Sequence, residues 1–379
     1  MTLLSICIPV MKADAATAGN IRQMLESTRS DFEIVIADFT DGTATGLTDL
    51  VRELKDKRLR LVSPGPDDGE APAADISACW NRMIPQTRGA WISIIGPSDY
   101  AAPDIAEVIT ATLKRVPDAD ALSWGRAEYI PPELGTGREI ARIPTGSLVT
   151  LPEQKDLMRS QFYWDGAGDR PACDFGVWHG AVRRELLERT REAFSGVYFE
   201  QAAPAIDNIC KTVVLARSAV FWERPLSVRT TAGSPALPAD KAEAKPFEDF
   251  PFSAAMGAAA SAALAIEAFK RSYGIELDGW EDNFIAACAH DCETETSGEQ
   301  FHARKAAYAK AIADWRGKRA LTRFKPEFRR NPKLPRFQGV RNGHLHFNMK
   351  MGDTRTAGDF YRMIDAMLFP VHLLDDKLA

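Results

Sequence analysis

WISIIGPSDYAAPDIAEVI, residues 91–109, is the stretch on which the fold prediction depends. Its first residues are apolar and partly β-branched, which indicates a buried strand that ends at Gly96. Pro103 and Asp104 are residue types that favour the first turn of a helix. The stretch therefore predicts a strand, a polar turn that contains Asp99, and a helix.

The residues before this stretch repeat the same alternation. Continuous apolar runs, typical of strands covered on both faces of a parallel sheet, occur at 3–10, 32–39 and 59–63. Helical spacing of apolar residues recurs between them, at 19–30, 48–58 and 76–89. The last of these segments ends in Gly89, which is typical of a helix stop. This alternation predicts an α/β fold with a mostly parallel central sheet flanked by helices.

Ligands of such sheets bind beyond the carboxyl ends of the strands. The segments at these ends are 9–12, 38–42 and 96–99. Asp38 and Asp99 lie in the second and third of these segments, and their carboxylates can bind a cation or accept hydrogen bonds. The sequence therefore predicts a binding site at this edge of the sheet.

The rest of the chain is less regular. Its predicted elements are a Gly- and Pro-rich insertion at 131–152, a helix at 180–194, and a helix leading into a strand at 207–229. A Pro-containing segment of small and polar residues follows and is typical of a linker or lid. We therefore predict three parts: an α/β domain over 1–230, the linker or lid over 231–252, and a mainly helical C-terminal region over 253–379. Helices in this last region are predicted at 253–271, 299–316 and 355–368.

Composition and charge exclude several classes of protein. The chain has 379 residues and a net charge of −5, so it lacks the basic field that nucleic-acid binding requires. Its N-terminal apolar run has no basic region before it, and the Ala-rich stretch 254–269 falls short of a membrane span. We expect a cytoplasmic protein without a transmembrane segment. Basic residues interleaved with Phe at 323–337 leave peripheral contact with the inner membrane surface open.

The cysteines and histidines predict no metal centre. Six cysteines are scattered without a framework spacing, which favours reduced thiols. The segment CAHDC, 288–292, does not match the Cys-x-x-Cys spacing of structural zinc, and its two cysteines are typical of the core face of a helix. His344 and His346 receive no role.

Four segments, taken in order, resemble the inverting family 2 glycosyltransferases of the GT-A fold. They are SICIPV (5–10), DFEIVIADFTDGT (31–43), NRMIPQTRGAWISIIGPSDYAAPDIAEVI (81–109) and PAIDNICKTVVLARSAVFWERPLSVRTTAGS (204–234). Their order and spacing carry the resemblance. It implies a GT-A-type domain that binds a nucleotide-sugar and performs catalysis over residues 1–230.

The resemblance implies roles for individual residues. The implied nucleotide-sugar-binding residues are Pro9, Asp38, Asn81 and Arg229. Asp207 is the implied base that deprotonates the acceptor hydroxyl, with Glu200 as its rival. Asp99 is the implied ligand of a divalent ion that stabilises the leaving diphosphate.

The segment 96–99 departs from the family pattern. The family has an Asp-x-Asp or Asp-Asp-Asp run there, whereas Gly96, Pro97 and Ser98 precede Asp99 in this chain. Because Mg²⁺ keeps several waters and binds substrate phosphates, one carboxylate weakens its binding without abolishing it. We therefore expect Mn²⁺ or Mg²⁺ to be weakly held, or to be absent, with Arg and Lys neutralising the diphosphate instead.

The expected reaction moves a sugar, with inversion, from a nucleoside-diphosphate-sugar donor to a hydroxyl of a glycan, lipid-linked or protein acceptor. The resemblance implies a role in bacterial polysaccharide or glycoconjugate biosynthesis. A non-catalytic relative that binds nucleotides or glycans, or acts as a scaffold, is the alternative. A nucleotidyltransferase is disfavoured because no Gly-rich phosphate loop follows the first strand.

The implied site residues also have structural interpretations. Asp99 and Asp207 can each be a turn or capping acid at a helix start. Asp38 can form a turn, and Arg229 can form a surface salt bridge. These interpretations stay open at the level of the sequence.

Overall fold

The computed structural model of the chain describes residues 2–11, 15–40, 45–63, 75–131, 140–230, 250–295, 297–328, 338–347 and 351–371. Three predicted features lie wholly or mostly outside these residues: the turn at 41–42, the linker or lid at 231–252, and the second half of the basic segment, 329–337.

Twelve strands lie within the described residues. They are β1 Leu4–Val10, β2 Phe32–Asp38, β3 Leu59–Val62, β4 Trp91–Ile94, β5 Tyr100–Ala101, β6 Ala119–Ile130, β7 Ile140–Pro144, β8 Val149–Thr150, β9 Gly180–Arg183, β10 Ser218–Thr230, β11 Gly339–Arg341 and β12 His344–Phe347.

Eleven α-helices accompany them in the described part of the chain. They are α1 Ala15–Leu25, α2 Thr45–Leu54, α3 Ile76–Met83, α4 Ile105–Arg115, α5 Gln154–Phe162, α6 Arg184–Ala193, α7 Pro204–Leu215, α8 Ala258–Ser272, α9 Glu281–Glu293, α10 Gly298–Arg316 and α11 Ala357–Asp365. None of these helices combines the length and apolar character needed to cross a membrane.

All twelve strands belong to one sheet, whose main path runs β11-β12-β7-β6-β9-β4-β1-β2-β3. Strands β3, β2, β1 and β4 are parallel neighbours. The short strand β9 is antiparallel to both β4 and β6, so β6 runs in the same direction as β4. Strand β10 is parallel to β6 over almost its full length. The predicted α/β fold with a mostly parallel central sheet and flanking helices is confirmed.

Two hydrophobic clusters cover the two faces of the sheet. Side chains of a buried strand alternate between the faces, so Cys7 belongs to one cluster, whereas Ile6 and Ile8 belong to the other. Helices α8, α9 and α10 pack in the first cluster, and α11 packs in the second. The residues after 250 therefore contribute to both cores. The division of the chain into three parts stays a prediction.

The structure differs from the sequence prediction at two helices. The helix predicted over 180–194 begins as strand β9, and only its second part, α6, is helical. The helix predicted over 76–89 ends at Met83 and is followed by a short 3₁₀ turn over Ile84–Gln86. Gly89 is thus not a helix stop.

Gly89 instead permits a close approach to strand β1. Its N–H donates to Ser5 Oγ at 2.8 Å, and a Cβ at this position would lie 2.5 Å from the backbone nitrogen of Ser5. Because β1 is buried along its whole length, its backbone cannot move aside without disturbing the core.

We expect Gly89→Ala to lower the free energy of unfolding by about 1–3 kcal/mol through this overpacking. Urea unfolding, compared at unchanged m-value, measures the loss. Gly46→Ala is the matched control, because nothing lies within 4 Å of a Cβ there and Ala favours helix α2. Equal stability of Gly89→Ala and wild type would contradict the explanation.

Candidate functional site

The carboxyl ends of the parallel strands meet at one edge of the sheet, where the sequence predicted a site. β1 ends at Val10, β2 at Asp38, and the turn 96–99 follows β4. The ends of β6 and β10 lie at the same edge because these strands run in the same direction.

Asp99 lies at this edge and is buried, with 5% of its surface exposed. Its Oδ1 accepts hydrogen bonds from the backbone nitrogen and the hydroxyl of Thr230, at 2.8 and 3.1 Å. Its Oδ2 accepts from the backbone nitrogen of Gly96 and from His179 Nε2, both at 3.0 Å. Burial raises the pKa of Asp99, but His179 and these donors outweigh it and hold the pKa below its usual value.

His179 extends these contacts to strands β6 and β10. Its Nδ1 lies 3.0 Å from Ser227 Oγ, and Ser227 Oγ accepts from Trp124 Nε1 at 2.9 Å. Complete burial lowers the pKa of His179, which favours the neutral ring. Since an ionised Asp99 only accepts, Nε2 carries the proton and Nδ1 accepts from the Ser227 hydroxyl. We call Asp99, His179, Ser227 and Trp124 the Asp99 network.

The described residues do not fit a divalent ion bound by Asp99. Each oxygen of Asp99 already accepts two hydrogen bonds, which occupy its lone-pair directions. In the described part of the chain, no three His, Cys, Asp or Glu side chains converge to hold a metal. The structure places Asp99 as an anchor between the turn 96–99, His179 and the end of β10.

We expect Asp99→Asn to destabilise the protein by about 2–4 kcal/mol. Whichever oxygen the amide nitrogen replaces, two buried donors lose their acceptor. Asp174→Asn is a suitable control because the Asp174 side chain is 51% exposed and, among the described residues, contacts Arg126 at 3.3 Å. Chemical unfolding tests both variants, and an Asp99→Asn protein as stable as wild type would contradict the anchoring role.

Three arginines lie beside the Asp99 network, and we call them the arginine edge: Arg126, Arg170 and Arg229. Arg126 on β6 is the register partner of Ser227 on β10, and Arg229 lies two residues after Ser227 on the same face of β10. Arg126 contacts Asp174, and Arg229 donates to Glu128 at 2.7 Å.

The three guanidinium groups of the arginine edge act on one another electrostatically. Partial burial lowers the pKa of Arg170, Asp169 raises it, and Arg229 and Arg126 lower it further. Arg126 and Arg229 also help to lower the pKa of His179. Such a group of guanidinium ions is suited to bind an anionic ligand.

A second polar cluster surrounds Lys211 of helix α7, whose side chain is fully buried. Lys211 Nζ lies 2.8 Å from Glu200 Oε2 and 3.0 Å from Asp207 Oδ2, and it donates to the Tyr198 carbonyl at 3.2 Å. The Tyr273 hydroxyl, at the end of α8, donates to the Glu200 carboxylate at 2.7–2.8 Å. We call Glu200, Asp207, Lys211 and Tyr273 the lysine cluster.

The two carboxylates of the lysine cluster differ in environment. Asp207 is 0% exposed, and burial raises its pKa more than Lys211 lowers it. The Glu200 side chain is 14% exposed. Burial raises the pKa of Glu200, but hydrogen bonds from Lys211, Ser195 and Tyr273 outweigh this and hold the pKa below its usual value. Glu200 is therefore ionised at neutral pH and accessible from solvent.

Residues 177–179 link the two groups. Val177 donates to Asn208 Oδ1 at 2.8 Å, next to Asp207, and its carbonyl accepts from Ile94 of β4 at 2.6 Å. Trp178 stacks on Trp80 with ring centroids 5.6 Å apart, and Trp80 in turn packs edge-on against Phe199. The segment that carries His179 thus connects the Asp99 network to the residues before Glu200.

The other predicted site residues have structural contacts. Pro9 is buried within β1 beside Ala37. Asp38 Oδ1 accepts from the backbone nitrogen and hydroxyl of Thr40, at 2.9 and 2.6 Å, which forms a turn. The Asn81 side chain bonds to backbone atoms of Tyr198 and Phe199, so it holds the segment that precedes Glu200.

The structure brings the predicted residues together in two groups. Asp99 and Arg229 are neighbours through Thr230, and Glu200 and Asp207 share Lys211. Sequence reasoning missed Arg126, Arg170, His179, Lys211 and Tyr273. Only Lys211 carried a sequence signal, because it follows Asp207 by one helical turn.

Comparison with known proteins gives one kind of sequence match and several structural matches. No family model matches the chain. Over 216 residues it is 23% identical to a curated protein of Bacillus subtilis strain 168, described as the uncharacterized glycosyltransferase EpsJ, with 53% of this chain and 54% of that protein covered. The chain thus spans about half the length of this relative.

Two solved structures of Staphylococcus aureus TarS, residues 1–349, are also similar to the chain. The complex with UDP-GlcNAc has 14% identity and a TM-score of 0.46, with 94% of this chain and 99% of that chain covered. The complex with UDP has 13% identity and a TM-score of 0.42 over the same shares of the two chains.

Proposed function

We propose that the chain is a glycosyltransferase that moves a sugar from a nucleoside-diphosphate-sugar donor to an acceptor hydroxyl. The observation that carries the proposal is Glu200, an ionised and partly exposed carboxylate held by buried Lys211. Residues 177–179 connect its cluster to the sheet edge that carries the arginines. The similarity to a B. subtilis protein described as a glycosyltransferase supports it.

In the proposed reaction, the acceptor oxygen forms a bond to the anomeric carbon while its proton passes to Glu200. The bond between the anomeric carbon and the diphosphate oxygen breaks, and the diphosphate leaves with the bonding electrons. Attack from the face opposite the leaving group inverts the configuration at this carbon. Asp207, which is fully buried, orients Lys211 and accepts from the Glu200 backbone nitrogen at 2.8 Å.

Several finer features belong to this proposal. We assign the chain to the family 2 inverting enzymes on the four resembling segments, and we place it in the bacterial cytoplasm or at the inner membrane surface. The acceptor is a glycan, a lipid-linked intermediate or a protein of polysaccharide or glycoconjugate biosynthesis. The TarS complex with UDP-GlcNAc makes uridine diphosphate sugars the first donors to try.

The test is turnover of a panel of UDP-, GDP- and dTDP-sugars by the purified protein, measured as release of nucleoside diphosphate. NMR of the transferred sugar reports the configuration at the anomeric carbon. We expect one donor class to react with inversion. Donor binding without turnover would favour the non-catalytic binding protein, and neither binding nor turnover would refute the proposal.

A further inference from the structure

Two partners for a diphosphate can be compared at the carboxyl edge of the sheet: a metal ion held by Asp99, and the arginine edge. A metal ion needs lone pairs that are free to bind it. Asp99 has four hydrogen bonds on its two oxygens and is 5% exposed, so binding an ion would break contacts to Thr230, Gly96 or His179.

Two further carboxylates in the described part of the chain, Glu128 and Asp174, lie beside the arginine edge and also have partners. Glu128 contacts Arg229 and Arg142, and Asp174 contacts Arg126. A cation would have to compete with these guanidinium groups. Among the described residues, Glu128 and Asp174 thus pair with guanidinium groups, and these arginines can supply positive charge to a phosphate ligand.

The Asp99 network positions the strand ends that carry the arginines. Asp99 binds the backbone nitrogen of Thr230, the residue directly after Arg229. His179 binds Ser227, whose register partner on β6 is Arg126. The carboxylate that the family resemblance assigned to a metal therefore fixes the two strands on which the arginines lie.

We propose that this protein binds the diphosphate of its donor without a metal ion, through Arg126 and Arg229 with Arg170 beside them, and that Asp99 positions the strands that carry Arg126 and Arg229. The inference rests on the proposed glycosyltransferase function. A guanidinium group binds two phosphate oxygens with parallel hydrogen bonds and stays charged at any working pH.

The counter-ions of the arginine edge are partly exposed, so an anion with a higher charge can replace them. Asp174 is 51% exposed and its contacts to Arg126 measure 3.3 Å, so it can turn to solvent when a phosphate binds. Glu128 is shared between Arg229, at 2.7 Å, and Arg142, at 3.8 Å. A diphosphate that replaces these carboxylates compensates the arginines more fully, because it carries more charge and more acceptor oxygens.

The arginine edge can also stabilise the negative charge that develops on the leaving diphosphate. As the bond from the anomeric carbon to the diphosphate oxygen breaks, negative charge grows on that oxygen. Guanidinium groups already in place stabilise this charge without a metal ion.

The experiment is calorimetric titration of the full chain with UDP, GDP and dTDP, in EDTA, in Mn²⁺ and in Mg²⁺, together with donor turnover under the same conditions. We expect one nucleotide to bind with the same affinity in all three media. Arg126→Gln and Arg229→Gln should each weaken this binding by about 10- to 100-fold, the usual effect of losing hydrogen bonds to a charged group.

Arg229→Lys and Arg52→Gln complete the set. Lys keeps the charge but loses the two-pronged geometry, so we expect an intermediate loss of affinity. Arg52 is 73% exposed on α2 and pairs with Asp49, so its variant should bind as wild type does. Thermal melting of each variant separates a binding defect from unfolding, and the wild-type comparison across the three media needs no variant.

The outcomes separate the inference from the proposed function. Binding or turnover that requires Mn²⁺ or Mg²⁺, or that is indifferent to Arg126 and Arg229, would overturn the arginine site and leave the glycosyltransferase standing. Absence of both binding and turnover with every nucleotide would refute both. Metal-independent binding that is lost in both Gln variants supports the arginine site, and wild-type turnover under the same metal-free conditions supports the proposed function as well.

Discussion

Glu200→Gln is expected to lower turnover by about 10²–10⁴-fold, the usual contribution of a general base, with donor affinity unchanged. Gln keeps the shape and can still accept from Lys211 and Tyr273, but it cannot take the acceptor proton. Initial rates at saturating donor measure the first effect, and calorimetry the second. Glu185→Gln is the matched control, because the Glu185 side chain is 64% exposed and contacts only Arg183 among the described residues.

The pH profile gives a second readout of the same residue. A base acts in its ionised form, and Lys211, Ser195 and Tyr273 hold the pKa of Glu200 below its usual value. Activity should therefore persist as pH falls to the normal glutamate range and decline only below it. An acid limb near neutrality, or Glu200→Gln turnover equal to wild type, would assign the base to another residue.

Lys211→Met is expected to destabilise the protein by about 3–5 kcal/mol, the cost of leaving a buried charge without its partner. Asp207 is fully buried, and Lys211 is the cation that contacts it among the described residues. Urea unfolding at neutral pH measures the loss. Because the unpaired carboxylates can be neutralised by protons, the difference from wild type should shrink as pH falls.

Two further variants sharpen this test. The double variant Lys211→Met with Asp207→Asn should recover part of the loss, because no buried carboxylate at 207 then lacks a cation. Lys310→Met should change stability by less than about 0.5 kcal/mol, since the Lys310 side chain is 76% exposed in its pair with Asp314. A Lys211→Met protein as stable as this control would contradict the role of the lysine cluster.

The first half of the fold was predictable because its strands are continuous apolar runs. Strands β1 and β2 are buried at almost every position, which only a sheet covered on both faces produces. Strand β6 escaped prediction because its second half carries Arg126 and Glu128 on one face. Strand β9 was not predicted because it has only four residues and leads directly into α6 without an intervening turn.

The site was predictable only in part, because residues far apart in the sequence form it. Asp99 was predicted as a site residue because it follows a strand. The hydrogen bonds that occupy its carboxylate come from Thr230, Gly96 and His179, and the bond from Thr230 spans 131 residues of sequence. His179 lies in a loop without helical or strand periodicity, and its φ of 50° is a conformation that sequence pattern does not indicate for His. Long-range pairing of this kind has no local signal.

The prediction of a helix stop at Gly89 was wrong. A glycine after a helical segment is typical of a helix stop, yet this one permits contact with Ser5 on a neighbouring strand. The distinction depends on strand order, which the residues around position 89 do not encode.

The structure of the protein bound to the nucleoside diphosphate released in the turnover assay tests the central claim most directly. We predict that both phosphates lie against Arg126 and Arg229, with the β-phosphate oxygen that held the sugar on the side of Glu200. Phosphates bound away from this edge of the sheet, or a Glu200 carboxylate that cannot reach an acceptor beside them, would contradict the glycosyltransferase account.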